Sequence, residues 1–150
     1  VGFLPVFGSC MTQKEPDPPE SVIAGAHAPG HQAWVAEGDG AVVGYLLVSA
    51  DCRHGLGTLQ VIAVDPACAI RGVGSALMAP AEEFWRERKM RKIATCVASI
   101  NPKAQAFYHR HGFVAEGTLK DHFFAGVDEI CLAKFLDSAL DKTGDIGYAE

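Results

Sequence analysis

Val61-Ile62-Ala63-Val64-Asp65-Pro66-Ala67-Cys68-Ala69-Ile70-Arg71-Gly72-Val73-Gly74-Ser75-Ala76-Leu77-Met78 carries the chain from a strand, through a glycine-bearing turn, into a helix. Val61 to Val64 is an unbroken apolar run of strand length, Asp65-Pro66 is turn chemistry, and Val73, Leu77, Ala81 and Phe84 recur at helical spacing. Such a junction is an anion site. The first-turn N–H groups of a helix have no partner within it, and the helix dipole adds to their attraction for a phosphate. Gly72 and Gly74 have no Cβ, so the sequence predicts a phosphate drawn close to the main chain there, with Arg71 supplying a full charge.

Three kinds of phosphate turn compete for this stretch. A P-loop requires Lys then Ser or Thr after its last glycine, and Ser75-Ala76 stand there instead. A dinucleotide fingerprint requires a third Gly or Ala where Leu77 stands. The whole string, an apolar strand, Val-x-Pro, then Arg-Gly-x-Gly opening a helix, resembles motif A of the GNAT superfamily of acyl-coenzyme A-dependent N-acetyltransferases. Asn101-Pro102-Lys103-Ala104-Gln105-Ala106-Phe107-Tyr108-His109-Arg110-His111-Gly112-Phe113 resembles that family's Asn-x-x-Ala-x-x-Phe-Tyr-x-x-x-Gly-Phe segment, in the expected order downstream. Local physics agrees with a short helix there: Asn101 suits the N-cap, Pro102 the first helical position and Gly112 a left-handed stop. The resemblance runs from Val35 to about Leu136.

The resemblance implies an α/β (α+β) domain of the GNAT-like acyl-CoA N-acyltransferase fold. In it, a mixed central sheet is flanked by helices, and two parallel strands, here Thr58–Val64 and Lys92–Ala98, splay apart around the pantetheine arm of acetyl-CoA. The implied cofactor contacts are Ile62, Ala63 and Val64 on the strand, Ala69 to Ala76 through the turn (Ala69, Ile70, Arg71, Gly72, Val73, Gly74, Ser75, Ala76), and Asn101, Ala104, Phe107 and Tyr108 on the second helix. The implied chemistry is direct acetyl transfer to the primary amine of a small molecule or peptide. Tyr108 protonates the departing thiolate, and the N–H of Val64 or Ala63 polarises the oxyanion. A phenol of pKa about 10 is protonated at neutral pH and able to donate.

The chain departs from the family pattern in two places. Thr58, Gln60 and Ile62 leave the strand before the turn without the carboxylate that often serves as base, so no base follows from the motif. His54, Glu116, Asp121, His122 and Asp128 are the candidates for the base, directly or through ordered water, and His54, Glu116 and His122 for acceptor contact. Ala69 stands where the turn usually begins with Gln or Arg, which leaves the backbone cradle intact. A noncatalytic acyl-CoA-binding module or sensor is the alternative reading, and a nucleotide-binding regulator a third. His109 and His111 lie two apart on a helix and face different ways, so no metal is expected.

Composition sets the bounds. A chain of 150 residues suits one domain with a core of its own, 1–150, with an atypical N-terminal segment over 1–31 and a peripheral tail over 137–150. Met11 to Glu20 is proline-rich and polar and reads as a loop. The net charge of -5 disfavours nucleic acid and inclines toward cationic substrates. No apolar stretch has the length of a membrane span, and Val1 to Phe7, lacking a basic flank and broken by Pro5, does not read as a secretory signal. Cys10, Cys52, Cys68, Cys96 and Cys131 are odd in number and widely spaced, which points to a reducing cytoplasm and to packing roles. Elsewhere the pattern predicts a hairpin, Ala33–Glu37 and Val42–Ser49 about Asp39-Gly40, a helix from Gly72 to about Lys89 bent at Pro80, and strands Phe113–Leu119 and Val127–Phe135. Phe123-Phe124 is a candidate contact for a homodimer.

Overall fold

The computed structural model describes residues 7–8 and 26–136. The expected loop over Met11–Glu20, the tail over Asp137–Glu150 and Cys10 lie outside the described residues. Among the described residues, seven strands and two helices follow in the order β1 (Phe7–Gly8), β2 (His31–Gly38), β3 (Ala41–Asp51), β4 (Leu56–Val64), α1 (Val73–Glu87), β5 (Lys92–Ala98), α2 (Pro102–Arg110), β6 (Val114–Phe124) and β7 (Val127–Phe135). All the strands join one mixed sheet of order β2-β3-β4-β5-β7-β6, with β1 paired to β4 off that path.

Local chemistry accounts for the joints. Asp39 and Gly40 both take positive φ, 51° and 78°, the requirement of the two-residue hairpin that joins β2 to β3. Asn101 accepts a hydrogen bond from the Ala104 amide at 3.1 Å and caps α2, with Pro102 in its first turn and Gly112 at φ 85° beyond its end. Lys89, at φ 56°, ends α1 in the same left-handed way. Helix α1 runs unbroken from Val73 to Glu87 with Pro80 inside it.

Strands β2 and β3 each run past the expected Ala33–Glu37 and Val42–Ser49 at both ends, β6 starts at Val114 rather than Phe113, and two further boundaries differ from the sequence reading. β6 continues five residues past Leu119 to Phe124, because it is an edge strand exposed along its whole length and its Lys120-Asp121-His122 segment needs no apolar face. β4 begins at Leu56 rather than Thr58, and those two extra residues provide most of its pairing with β5.

Both helices cover one face of the sheet. Leu46, Val48, Leu59 and Ile62 meet Leu77, Met78, Ala81 and Trp85 of α1 and Phe107 and Tyr108 of α2 in a single core. Trp85 anchors α1 by donating its indole N–H to the Ser49 carbonyl at 3.0 Å. Gly57 lies under that ring; a Cβ there would come within 2.6 Å of Trp85.

Candidate active site

The feature that positions the site is an irregularity in β4. Opposite β3, Leu47 pairs with Val61 and Val48 with Leu59, so Gln60 is an extra residue bulged out of register. The bulge lets Leu59 and Ile62 both face the core, and it turns β4 away from its other neighbour. β4 pairs with β5 in parallel only over Leu56–Thr58 against Lys92–Ala94. Beyond Thr58 the two strands part, as the sequence reading expects.

Along the separated part of β4, backbone directions alternate. The Asp65 amide donates to the Val43 carbonyl across β3 at 2.8 Å. Alternation therefore turns Ala63 toward β3 and Val64 and Ile62 toward the gap. Of the two amides proposed for the oxyanion, Val64 is the one aimed into the opening.

The gap is partly filled by the chain itself. Phe7 pairs with Ile62 and Gly8 with Val61, antiparallel, while the opposite edges of Ile62 and Val61 are taken by Leu46 and Leu47 of β3. Strand β1 thus lies on the β5 side of β4, in contact with β5 and α2. The sequence reading expects this stretch of main chain to be open, and the structure corrects that: the groups of Ile62 already have a strand partner.

The turn after β4 is tightly built. Asp65 holds it through its side chain, which accepts from the Ala67 amide at 2.8 Å, and through its carbonyl, which accepts from Cys68 at 2.9 Å. Gly72 caps α1 at φ 80° with open space around its missing Cβ. No side chain caps this helix, and among the described residues the amides of Gly72 to Ser75 have no acceptor. The second glycine has a different reason from the one expected. A Cβ on Gly74 would meet Phe107 Cε2 at 2.9 Å, so Gly74 lets α2 press against the start of α1 rather than making room for a phosphate.

A cavity of about 240 Å³ opens over these amides, lined by Val64 to Pro66, Cys68, Ile70, Gly72 to Ser75, Lys103, Phe107 and Arg110. Lys103 and Arg110 are the residues that the sequence reading misses. Their signal was present, because positions 103, 107 and 110 follow the i, i+4, i+7 spacing of one helix face. Arg71, Ala69 and Ala76 are exposed on the outside of the turn, away from the cavity lining. Ser75 and His111 meet at 3.1 Å, Oγ to Nε2, and tie the start of α1 to the end of α2. Burial lowers the His111 pKa from its ordinary value, partly opposed by the Glu82 carboxylate.

Below the cavity, Ile62, Ala63, Ala104 and Tyr108 are fully buried. The Tyr108 phenolic oxygen has no partner at hydrogen-bond geometry among the described residues. Burial pushes its pKa well above the tyrosine range, with a weaker opposing influence from Thr95, whose hydroxyl is donated to the Leu59 carbonyl at 3.0 Å. Thr95 and Leu59 flank the point where β4 and β5 part, so the phenol is held protonated beside the root of the gap.

The structure separates the acceptor candidates. His54 sits in the β3–β4 turn, its Nδ1 2.6 Å from Asp51 Oδ2, and Glu116 binds Lys92 Nζ at 2.8 Å. Both belong to the end of the sheet where β4 begins, about 26 Å of strand from Val64 at 3.3 Å per residue. They are not brought to the cavity. His122, Asp121 and Asp128 lie at the β6–β7 hairpin, at the cavity end. There Asp128 binds Lys120 Nζ at 2.7 Å and accepts from the Asp121 amide, and both contacts keep its carboxyl below its ordinary pKa. Phe123 and Phe124 are exposed in the same hairpin. No metal-binding cluster occurs among the described residues, and no helix among them is long and apolar enough to cross a membrane.

A strand that splays from its parallel neighbour and ends in an uncapped, glycine-started helix is the architecture that sequence comparison also finds: residues 4–113 match the model of the acetyltransferase (GNAT) family. The chain belongs to the GNAT acetyltransferase family. It is 35% identical over 107 residues to an uncharacterized N-acetyltransferase of Methanocaldococcus jannaschii, covering 67% of this chain and 64% of that protein. It is 32% identical over 85 residues to a mycothiol acetyltransferase of Acidimicrobium ferrooxidans, 55% of this chain but 27% of that one. The chain therefore spans less than two thirds of these relatives' lengths. Among solved structures it superposes on nourseothricin acetyltransferase with a TM-score of 0.67 and 31% identity, over 73% of this chain and 67% of that one. The ribosomal-protein-S18-alanine N-acetyltransferase of Escherichia coli shares the GNAT fold with a TM-score of 0.70 at 20% identity, over 83% and 81% of the two chains.

Acetyl-CoA, the donor that the GNAT family uses, fits the residues present. The open amides of Gly72 to Ser75, the absence of a Cβ at Gly72 and the two cations on α2 form a cradle for a diphosphate.

Proposed function

We propose that this chain is an acetyl-CoA-dependent N-acetyltransferase that moves an acetyl group to the primary amine of a small molecule or peptide by direct attack. The observation that carries the reading is the alignment of a diphosphate cradle, a strand gap and a buried protonated phenol along one path from Ser75 to Tyr108. When bound, the donor supplies an activated thioester. Gly72 to Ser75, with Lys103 and Arg110, would hold its diphosphate. The Val64 amide would polarise the carbonyl oxygen, and Tyr108 would hold a proton for the leaving sulfur. Asn101 and Phe107 would border the arm.

A noncatalytic acyl-CoA-binding module is favoured by two specific facts: β4 carries no carboxylate, and β1 holds part of the gap. Calorimetric titration with acetyl-CoA, followed by a thiol-release assay on spermidine, a lysine-bearing peptide and an alanine-initiated peptide, separates the readings. Binding with thiol release on at least one amine is the expected result. Binding with no release on any amine would favour the module, and no binding would reject both.

A further inference from the structure

Glu129 is a carboxylate that no motif accounts for. It is 0% exposed, in the middle of a sheet, where an ionisable side chain is costly to bury and strand propensity disfavours it. Its register is informative. On β7, Ile130 packs on the helix-side core and Leu132 belongs to it, and Lys134 pairs with Glu82 of α1, so the alternate residues Glu129, Cys131 and Ala133 face the opposite side. On β5 the same alternation puts Ala94, Cys96 and Ala98 on that side, and the Cys96 and Cys131 sulfurs lie 3.7 Å apart across the ladder.

Glu129 stands directly opposite Ala98, the last residue of β5, at the end where β5 has left β4. Around it, Ala98, Cys96 and Cys131 are small, so one carboxylate stands over a floor of short side chains. The Tyr108 phenol, packed among Phe107, Phe113 and the core, lies on the helix side of the same sheet. A thioester held in the gap would have the acid on one side and Glu129 on the other.

We infer that Glu129 is the acceptor-side base: its carboxylate receives the substrate ammonium and takes its proton. This rests on the acetyltransferase reading above. Access would follow release of β1, which pairs with β4 and lies against β5. The ammonium passes one proton to Glu129, and the nitrogen lone pair forms the bond to the acetyl carbon. The carbon–sulfur bond breaks, the sulfur takes the Tyr108 proton, and one of the two protons on the acylated nitrogen restores the phenol while the other stays as the amide N–H. One proton is left on Glu129 for release to water. Among the described residues the other titratable groups along that face are the Cys96 and Cys131 thiols, Tyr45 of β3, His31 of β2, which meets Gln60 at 2.8 Å, and Lys92, which Glu116 holds at 2.8 Å at the far end of the strand. Asp128 faces the other way and is committed to Lys120.

The test uses the full chain and the fastest of the three amines named above. Glu129→Gln should leave acetyl-CoA affinity within about threefold of the parent. It should lower kcat/KM for the amine by about 10²–10⁴, the range for a positioned base. Its rate should also climb about tenfold per pH unit toward the amine's own pKa, because solution then supplies the neutral amine. Glu129→Asp should restore part of the rate and the parent's acidic limb. An unchanged kcat/KM and pH profile in Glu129→Gln would overturn the assignment while leaving acetyl-CoA binding, and hence the parent reading, intact. So would a Glu129→Asp variant that binds acetyl-CoA and behaves no better than the amide. Failure of the parent chain to bind acetyl-CoA or release thiol would remove both.

Discussion

Replacing Tyr108 with Phe should make this protein more stable and far less active. The hydroxyl is fully buried and has no hydrogen-bond partner among the described residues, so it carries a desolvation penalty of about 1–3 kcal/mol that its removal relieves. Against that stands the loss of a few atom contacts of about 0.1–0.2 kcal/mol each, which leaves a net gain of roughly 1–2 kcal/mol. At about 2–4 °C per kcal/mol for a chain of this size, the melting temperature should rise by a few degrees. The ring still fills its place between Phe107 and Phe113, at 5.6 and 5.5 Å, so packing is kept. Turnover should fall by about 10²–10⁴, the usual contribution of a general acid, with KM for acetyl-CoA little changed. Thermal melts and steady-state thiol release measure the two halves. A melting temperature lowered by several degrees would mean that the hydroxyl is hydrogen-bonded in the folded state, and turnover within threefold of the parent would remove the acid role.

Gly74→Ala should destabilise by about 1–3 kcal/mol, the cost of overpacking, because its methyl would drive into Phe107 at 2.9 Å; chemical denaturation gives the number, and a loss below about 0.5 kcal/mol would refute the contact. His111 has its folded-state pKa below its unfolded one, so the stability linked to it is full above about pH 6.5 and is lost as pH falls through the lower folded-state value. Melts from pH 7.5 to 5 should therefore decline less steeply in His111→Asn than in the parent. Lys103→Ala and Arg110→Ala should each weaken acetyl-CoA binding several-fold, with the parent's affinity falling as salt rises and the double variant's falling less, read by calorimetry at two ionic strengths.

Strands β5 and β7 are legible in the sequence to the residue, because each carries an apolar stretch of strand length bounded by turn chemistry. The Asn101 cap, the Asp39-Gly40 hairpin and the Gly72 turn are equally legible, since each depends on a backbone conformation that few residues accept. What escapes is whatever leaves no periodic trace. The Gln60 bulge adds one residue to a pattern without changing its composition. Strand β6 has no buried face to imprint alternation on, so its far half reads as loop. Glu129 is hidden beside Asp128 in what reads as a polar strand start, and only the register with Ala98 reveals that one faces the sheet interior while the other is tied to Lys120. His54 and Glu116 illustrate the converse. Their chemistry is suitable, but residue type carries no information about which end of a strand it will occupy.

Because Phe7 and Gly8 hold the edge of Ile62 and Val61, any dissociation constant measured on the intact chain is a difference between two equilibria. The intrinsic grip of the cradle on its ligand is divided by the fraction of molecules whose edge is vacant, so a tenfold rarer vacancy weakens the observed constant tenfold with no change in any contact. Weakening the pairing of Phe7 and Gly8 with β4 would then alter apparent affinity at a distance from every phosphate-binding group. Those two residues would be a competitor that no dilution removes.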